Sequence, residues 1–199
     1  MKKVISAVCI CAMTFVALVG FQNIGEPVLT TKPPVDSTQI KTASIPQWER
    51  IYNNLRLKEA GLSVEGFRYA WNGFQKEKFI KPILAIADFS QSSRHKRLYV
   101  IDLKENKLLY HTYVAHGRNS GEEFARRFSN NNSSYQSSLG FYRALSIYQG
   151  KHGLSLKLQG LETNINHRAF ERAIVMHGAD YVSEDFIRRT GRLGRSQGC

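Results

Sequence analysis

Three textures of apolar and polar positions follow one another along this chain. From Val4 to Phe21 the residues are almost continuously apolar, broken only by Ser6, Thr14 and Gly20, and Met1-Lys2-Lys3 precede them. A basic start and an apolar run of this length predict a signal peptide or an N-terminal anchor over 1–21. Residues 22–45 carry Pro27, Pro33 and Pro34 among Thr and Ser. So few large apolar groups cannot order a segment, so this stretch reads as a Pro/Thr-rich linker.

Helical spacing begins next. Trp48, Ile51, Tyr52 and Leu55 keep one face, behind Ser44-Ile45-Pro46-Gln47, which predicts a capping box or a Pro-led first turn. Gly61 is placed to end that helix, and Ser63 to cap a second one that carries Val64, Phe67, Trp71 and Phe74 on one side. A helical segment is therefore expected over 46–79. From residue 80 the period shortens to that of strands. Ile83–Phe89 reads as a buried strand. Leu98–Leu103 and Leu108–Ala115 flank Lys104-Glu105-Asn106-Lys107 as a hairpin, Phe141–Tyr148 and Leu154–Leu158 follow, and Ala173–Met176 runs into His177. Many short strands joined by polar turns predict a mainly β domain, a sandwich or barrel, over 80–199.

Composition narrows the function classes. The chain of 199 residues carries a net charge of +12, and Lys2 and Lys3 account for two of those charges, leaving +10 on the rest. A basic exported protein meets anionic polymers or surfaces. No zinc-finger spacing and no RNA-binding signature accompany the charge, so nucleic acid is not the expected partner. Neither H-E-x-x-H nor C-x-x-C occurs, and no metal or cofactor is expected.

Cysteine usage points to chemistry. Cys9 and Cys11 lie in the apolar run, which leaves Cys199 as the sole thiol of the folded part, unable to form an internal disulfide. It closes Ser196-Gln197-Gly198-Cys199, and His177-Gly178 lies 22 positions upstream at the end of a strand. A thiol after a glycine, with an imidazole held by a strand end, has the parts for acyl transfer through a thioester. The chain stops on this residue, and the expectation is that native residues follow it. His116, before Gly117, and His152, between Gly150 and Gly153, are further candidates for lining a cleft. Arg188, Arg189, Arg192 and Arg195 form a basic stretch suited to peptide carboxylates.

Val175-Met176-His177-Gly178 followed by Ser196-Gln197-Gly198-Cys199 resembles the signature of the L,D-transpeptidases of the YkuD type, in which a strand-end His-Gly precedes a Ser-His-Gly-Cys loop. Ser138-Leu139-Gly140-Phe141-Tyr142 is similar to the family's Thr-Pro-x-Gly-x-Phe strand, and Ala115–Gly121 and Arg192–Ser196 resemble its murein L,D-transpeptidase catalytic domain subgroup. The resemblance implies a β-sandwich of two sheets preceded by a short helical segment. It also implies an exported enzyme of the periplasm or cell envelope that acts on peptidoglycan stem peptides without a cofactor. By the same resemblance Cys199 is the nucleophile and His177 the base. Gly178 orients the imidazole, and the amides of Gln197, Gly198 and Cys199 form the oxyanion hole. Ser196, Arg195, Arg192, His116 and His152 are the candidate substrate contacts. The sequence departs from the family in two places: Gln197 replaces a second histidine, and the His177–Cys199 interval is long. A non-catalytic basic domain that holds cell wall is the alternative.

Overall fold

Among the described residues, six strands and three short helices follow in the order α1 (Gln47–Asn54), α2 (Val64–Lys76), β1 (Ile83–Ala87), β2 (Leu98–Asp102), β3 (Lys107–Thr112), β4 (Tyr142–Gly150), β5 (Gly153–Gly160), β6 (Val175–His177) and α3 (Glu184–Thr190). This computed structural model describes residues 44–77 and 79–198, all within one unit. The apolar run over 1–21, nearly all of the linker, and Cys199 lie outside the described residues. No helix among the described residues is long and apolar enough to cross a membrane.

The strands form two antiparallel three-stranded sheets, β1-β2-β3 and β4-β5-β6. The fold is therefore mainly β, in keeping with a two-sheet sandwich. The β2–β3 turn forms as its sequence asks: Asp102 Oδ1 accepts from the amides of Lys104 and Glu105, both at 2.9 Å, and Asn106 takes φ 50°. β1 alternates between exposed and half-buried positions and is not the fully buried strand its apolar run suggested. It lies at a sheet edge, where one face meets water.

Both expected helices are present, with different ends. Ser63 caps α2, its Oγ accepting from Gly66 N at 3.0 Å. The capping box before α1 does not form; Pro46 is the N-cap and makes no side-chain bond. α1 also stops at Asn54, well short of Gly61, because Arg56 takes a left-handed φ of 49° and the chain turns repeatedly before Gly61. The helices are part of the domain core. Ile51, Tyr52, Leu57, Leu62, Phe67 and Trp71 cluster with Tyr99, Ile101 and Leu103 of the first sheet. Burying a side chain the size of Phe67 stabilises by about 2–3 kcal/mol. α2 also meets Phe141, the residue that leads into β4. A side chain at Gly73 would overlap the Phe141 ring, and Phe141 stacks on Tyr69 with centroids 4.9 Å apart.

Candidate active site

The second sheet holds the first group of site residues. β6 is short and pairs with β5, which sets Ser155 opposite His177. The pairing fixes the backbone of His177 while the chain leaves the sheet immediately after it. Its Nδ1 lies 2.8 Å from the carbonyl oxygen of Gly178. A carbonyl only accepts, so in the neutral ring Nδ1 carries the proton and Nε2 keeps a lone pair. Held this way by a backbone carbonyl, the ring keeps Nε2 as its basic nitrogen. The β4–β5 turn brings His152 onto the same ring: the two imidazoles stack with centroids 4.8 Å apart and planes at 20°. His152 is itself exposed, and Gly153 permits the tight turn with φ 84°.

A knot of loops holds the second group. Ser196 N donates to His116 O at 2.9 Å, and Arg118 N donates back to Ser196 O at 2.8 Å, a parallel bridge between Gly117 and Ser196. Ser196 is buried, and its Oγ accepts from Gly198 N at 3.1 Å. The Gly198 amide, expected in an oxyanion hole, is therefore turned back on Ser196. The turn needs glycine, because Gly198 has φ 115° and a side chain there would press on Gln136 O at 3.1 Å. Gln197, between them, is exposed.

Beneath this turn lies a buried polar pair. Arg97 is fully buried. Its Nε and Nη2 donate to Val114 O at 3.1 and 3.0 Å, its Nη1 donates to Gln91 O at 2.7 Å, and its Nη2 lies 2.8 Å from His116 Nδ1. An arginine nitrogen only donates, so His116 Nδ1 accepts, and its Nε2–H reaches Gly121 O at 3.2 Å. Burial first, then the neighbouring Arg97 charge, lowers the His116 pKa below the ordinary histidine range. Desolvation lowers Arg97 to about 10. His116 is thus a neutral interior brace with both ring nitrogens occupied. The expected role of lining a cleft does not suit a side chain with no exposed surface.

The basic stretch is only partly a loop. Arg188 and Arg189 lie in the last turn of α3, capped by Ser183 and ended by Gly191 at φ 81°. Ser183 and Gly191 are ordinary helix signals; the arginines between them had drawn the reading to charge instead of period. Arg188 pairs with Asp185 one turn earlier. Arg192 and Arg195, expected at substrate, both bond the carboxylate of Glu122, and Arg195 also donates to Arg118 O at 3.1 Å. Glu122, an acidic residue in a basic chain, escaped the sequence reading.

A family model described as the L,D-transpeptidase catalytic domain matches residues 58–199. The chain belongs to the L,D-transpeptidase catalytic domain family. No curated protein and no solved structure matches it. The match starts before the first strand, at residue 58, and so takes in α2, which shares a core with the first sheet. Arg172 is the other residue of this L,D-transpeptidase domain that sequence reading passed over. Its guanidinium donates to Ser129 O and Gln136 O, both at 2.6 Å, and lies beside Gly198. Its only sequence signal was its place just before the strand expected over Ala173–Met176.

Proposed function

We propose that this domain is a peptidoglycan L,D-transpeptidase of the cell envelope, exported through its N-terminal segment, with Cys199 as nucleophile and His177 as base. His177 Nε2 takes the thiol proton. The thiolate of Cys199 attacks the carbonyl of the third stem residue, the C–N bond to the terminal D-alanine breaks, and the imidazolium returns the proton to the leaving amine. An acceptor amine then attacks the thioester, giving a 3–3 crosslink and freeing the thiol; water in its place gives an L,D-carboxypeptidase. The amides of Gln197 and Cys199 are the remaining candidates for the oxyanion, since Gly198 N bonds Ser196 Oγ. Arg192 and Arg195, partly exposed around Glu122, are the candidate contacts for stem carboxylates.

The observation that carries this reading is the His177 ring in a chain of this family, proton held on Nδ1 by Gly178 O at 2.8 Å. That arrangement leaves Nε2 as the basic nitrogen, and a wall-binding module has no need of it. Intact-protein mass spectrometry after mixing with a tetrapeptide donor or a carbapenem tests the proposal. An acyl adduct on the tryptic peptide that follows Arg195, absent in Cys199→Ala, is expected, with His177→Ala slower by roughly 10²–10⁴. A wild-type chain that binds wall yet forms no adduct, or an adduct on another residue, rejects the enzyme.

A further inference from the structure

Arg172 joins two parts of the site that the chain keeps far apart. Its backbone belongs to the turn that feeds β6 and so leads directly to His177; Arg172 N bonds Arg168 O at 2.8 Å in that turn. Its side chain leaves that turn and enters the polar loop 129–138. Nη1 donates to Ser129 O at 2.6 Å and Ser138 Oγ at 3.3 Å. Nη2 donates to Ser134 Oγ at 3.2 Å and Gln136 O at 2.6 Å. The clamped loop is itself sewn to the other loops of the knot, with Gly117 N on Ser137 Oγ at 3.0 Å and Ser137 N on Ser120 Oγ at 2.9 Å. A Cβ placed on Gly198 would stand 3.1 Å from Gln136 O and 3.4 Å from Arg172 Nη2. The next residue along the chain is Cys199, the proposed nucleophile.

We propose that Arg172 is a positioning residue of the acyl-transfer site, locking the loop 129–138 under the Gly198 turn and setting a positive charge beside that turn, which leads in the chain to the proposed nucleophile. The inference rests on the proposed role of Cys199. It follows from two properties of the group. A planar fork meets four acceptors in directions that a single ammonium cannot copy. A cation close to a thiol favours the thiolate. Other charged groups around the turn come from the facing loops: Arg118 with its amide on Ser196 O, and Arg195 held by Glu122. The buried imidazole of His116 lies behind, and Glu171 is turned to Asn132 Nδ2 at 2.6 Å. All of these persist in variants at position 172, so a difference between such variants reports Arg172.

Iodoacetamide alkylation across a pH series, read on the tryptic peptide that follows Arg195, separates the two parts of the proposal and requires no turnover. Arg172→Gln is expected to move the alkylation midpoint up by about one pH unit. Arg172→Lys keeps the midpoint close to wild type, yet both variants are acylated by a carbapenem at least about tenfold more slowly because the loop is no longer locked. An unchanged midpoint in folded Arg172→Gln overturns the charge role. If that variant does not fold, Arg172→Lys decides: wild-type acylation there overturns the fork. Failure of wild type to acylate at all rejects the enzyme reading, and the alkylation comparison still judges the position of the charge.

Discussion

Replacing Arg97 by Met tests whether the polar brace beneath the Ser196 turn is worth its burial. Met keeps much of the aliphatic stem and removes the guanidinium. Three acceptors then lose their donor: Val114 O, Gln91 O and His116 Nδ1. A buried acceptor left without a partner costs about 1–3 kcal/mol, so the gross loss is about 6 kcal/mol. Against this stands the relief of a buried charge. The lowering of Arg97 to about 10 corresponds to about 3 kcal/mol of disfavoured ionisation, and the residue has no exposed surface to screen it. The expected net destabilisation is therefore about 3 kcal/mol, or about 10 °C in midpoint for a domain of this size. Urea unfolding followed by tryptophan emission reads it directly, since Trp71 is in the core. Carbapenem acylation should slow in parallel, because His116 O holds Ser196 N at 2.9 Å. A loss under about 1 kcal/mol would mean that water or rearranged neighbours satisfy the orphaned groups, and the brace would have no structural role.

Acid should weaken the same region. His116 has a lowered pKa in the fold, so its contribution is complete above the ordinary histidine value. It is lost as pH falls from there through the folded value, with a slope of at most about 1.4 kcal/mol per pH unit. His116→Gln should flatten the fall in unfolding free energy below about pH 6.5; an unaltered slope assigns the effect elsewhere. At the second sheet, His152→Phe should keep kcat near wild type by preserving a stacked ring on His177, while His152→Ala loses up to about tenfold. A loss in Phe equal to that in Ala refutes a stacking role. Glu122→Gln removes an exposed carboxylate shared by Arg192 and Arg195. Stability should change by less than about 1 kcal/mol, while KM for an anionic stem peptide falls and its salt dependence steepens. An unchanged KM and salt dependence would show that these arginines only staple the loop.

Much of this domain is local in origin and so was legible in the chain. The period of Phe67 and Trp71, the Ser63 cap and the turn at Lys104–Lys107 each depend on residues a few positions apart, and each formed where the pattern placed it, although Val64 on the same expected face is exposed. His177 at a strand end beside Gly178 was legible for the same reason: the ring and the carbonyl that orients it are adjacent in the chain. Where charge or hydropathy competed with these short-range signals, the reading slipped. α3 was hidden behind its arginines, and the apolar run of β1 concealed an edge strand. Tertiary structure alone decided what depends on residues far apart. His116 meets Arg97 where the chain leaves the paired ends of β2 and β3 and becomes a buried neutral brace, Arg192 and Arg195 converge on Glu122, and Arg172 crosses from the turn before β6 to the loop beside Gly198. No periodicity encodes such meetings. A guanidinium has the same sequence signature whether solvated, paired or clamped under a turn, and only the packing of distant loops selects among these states.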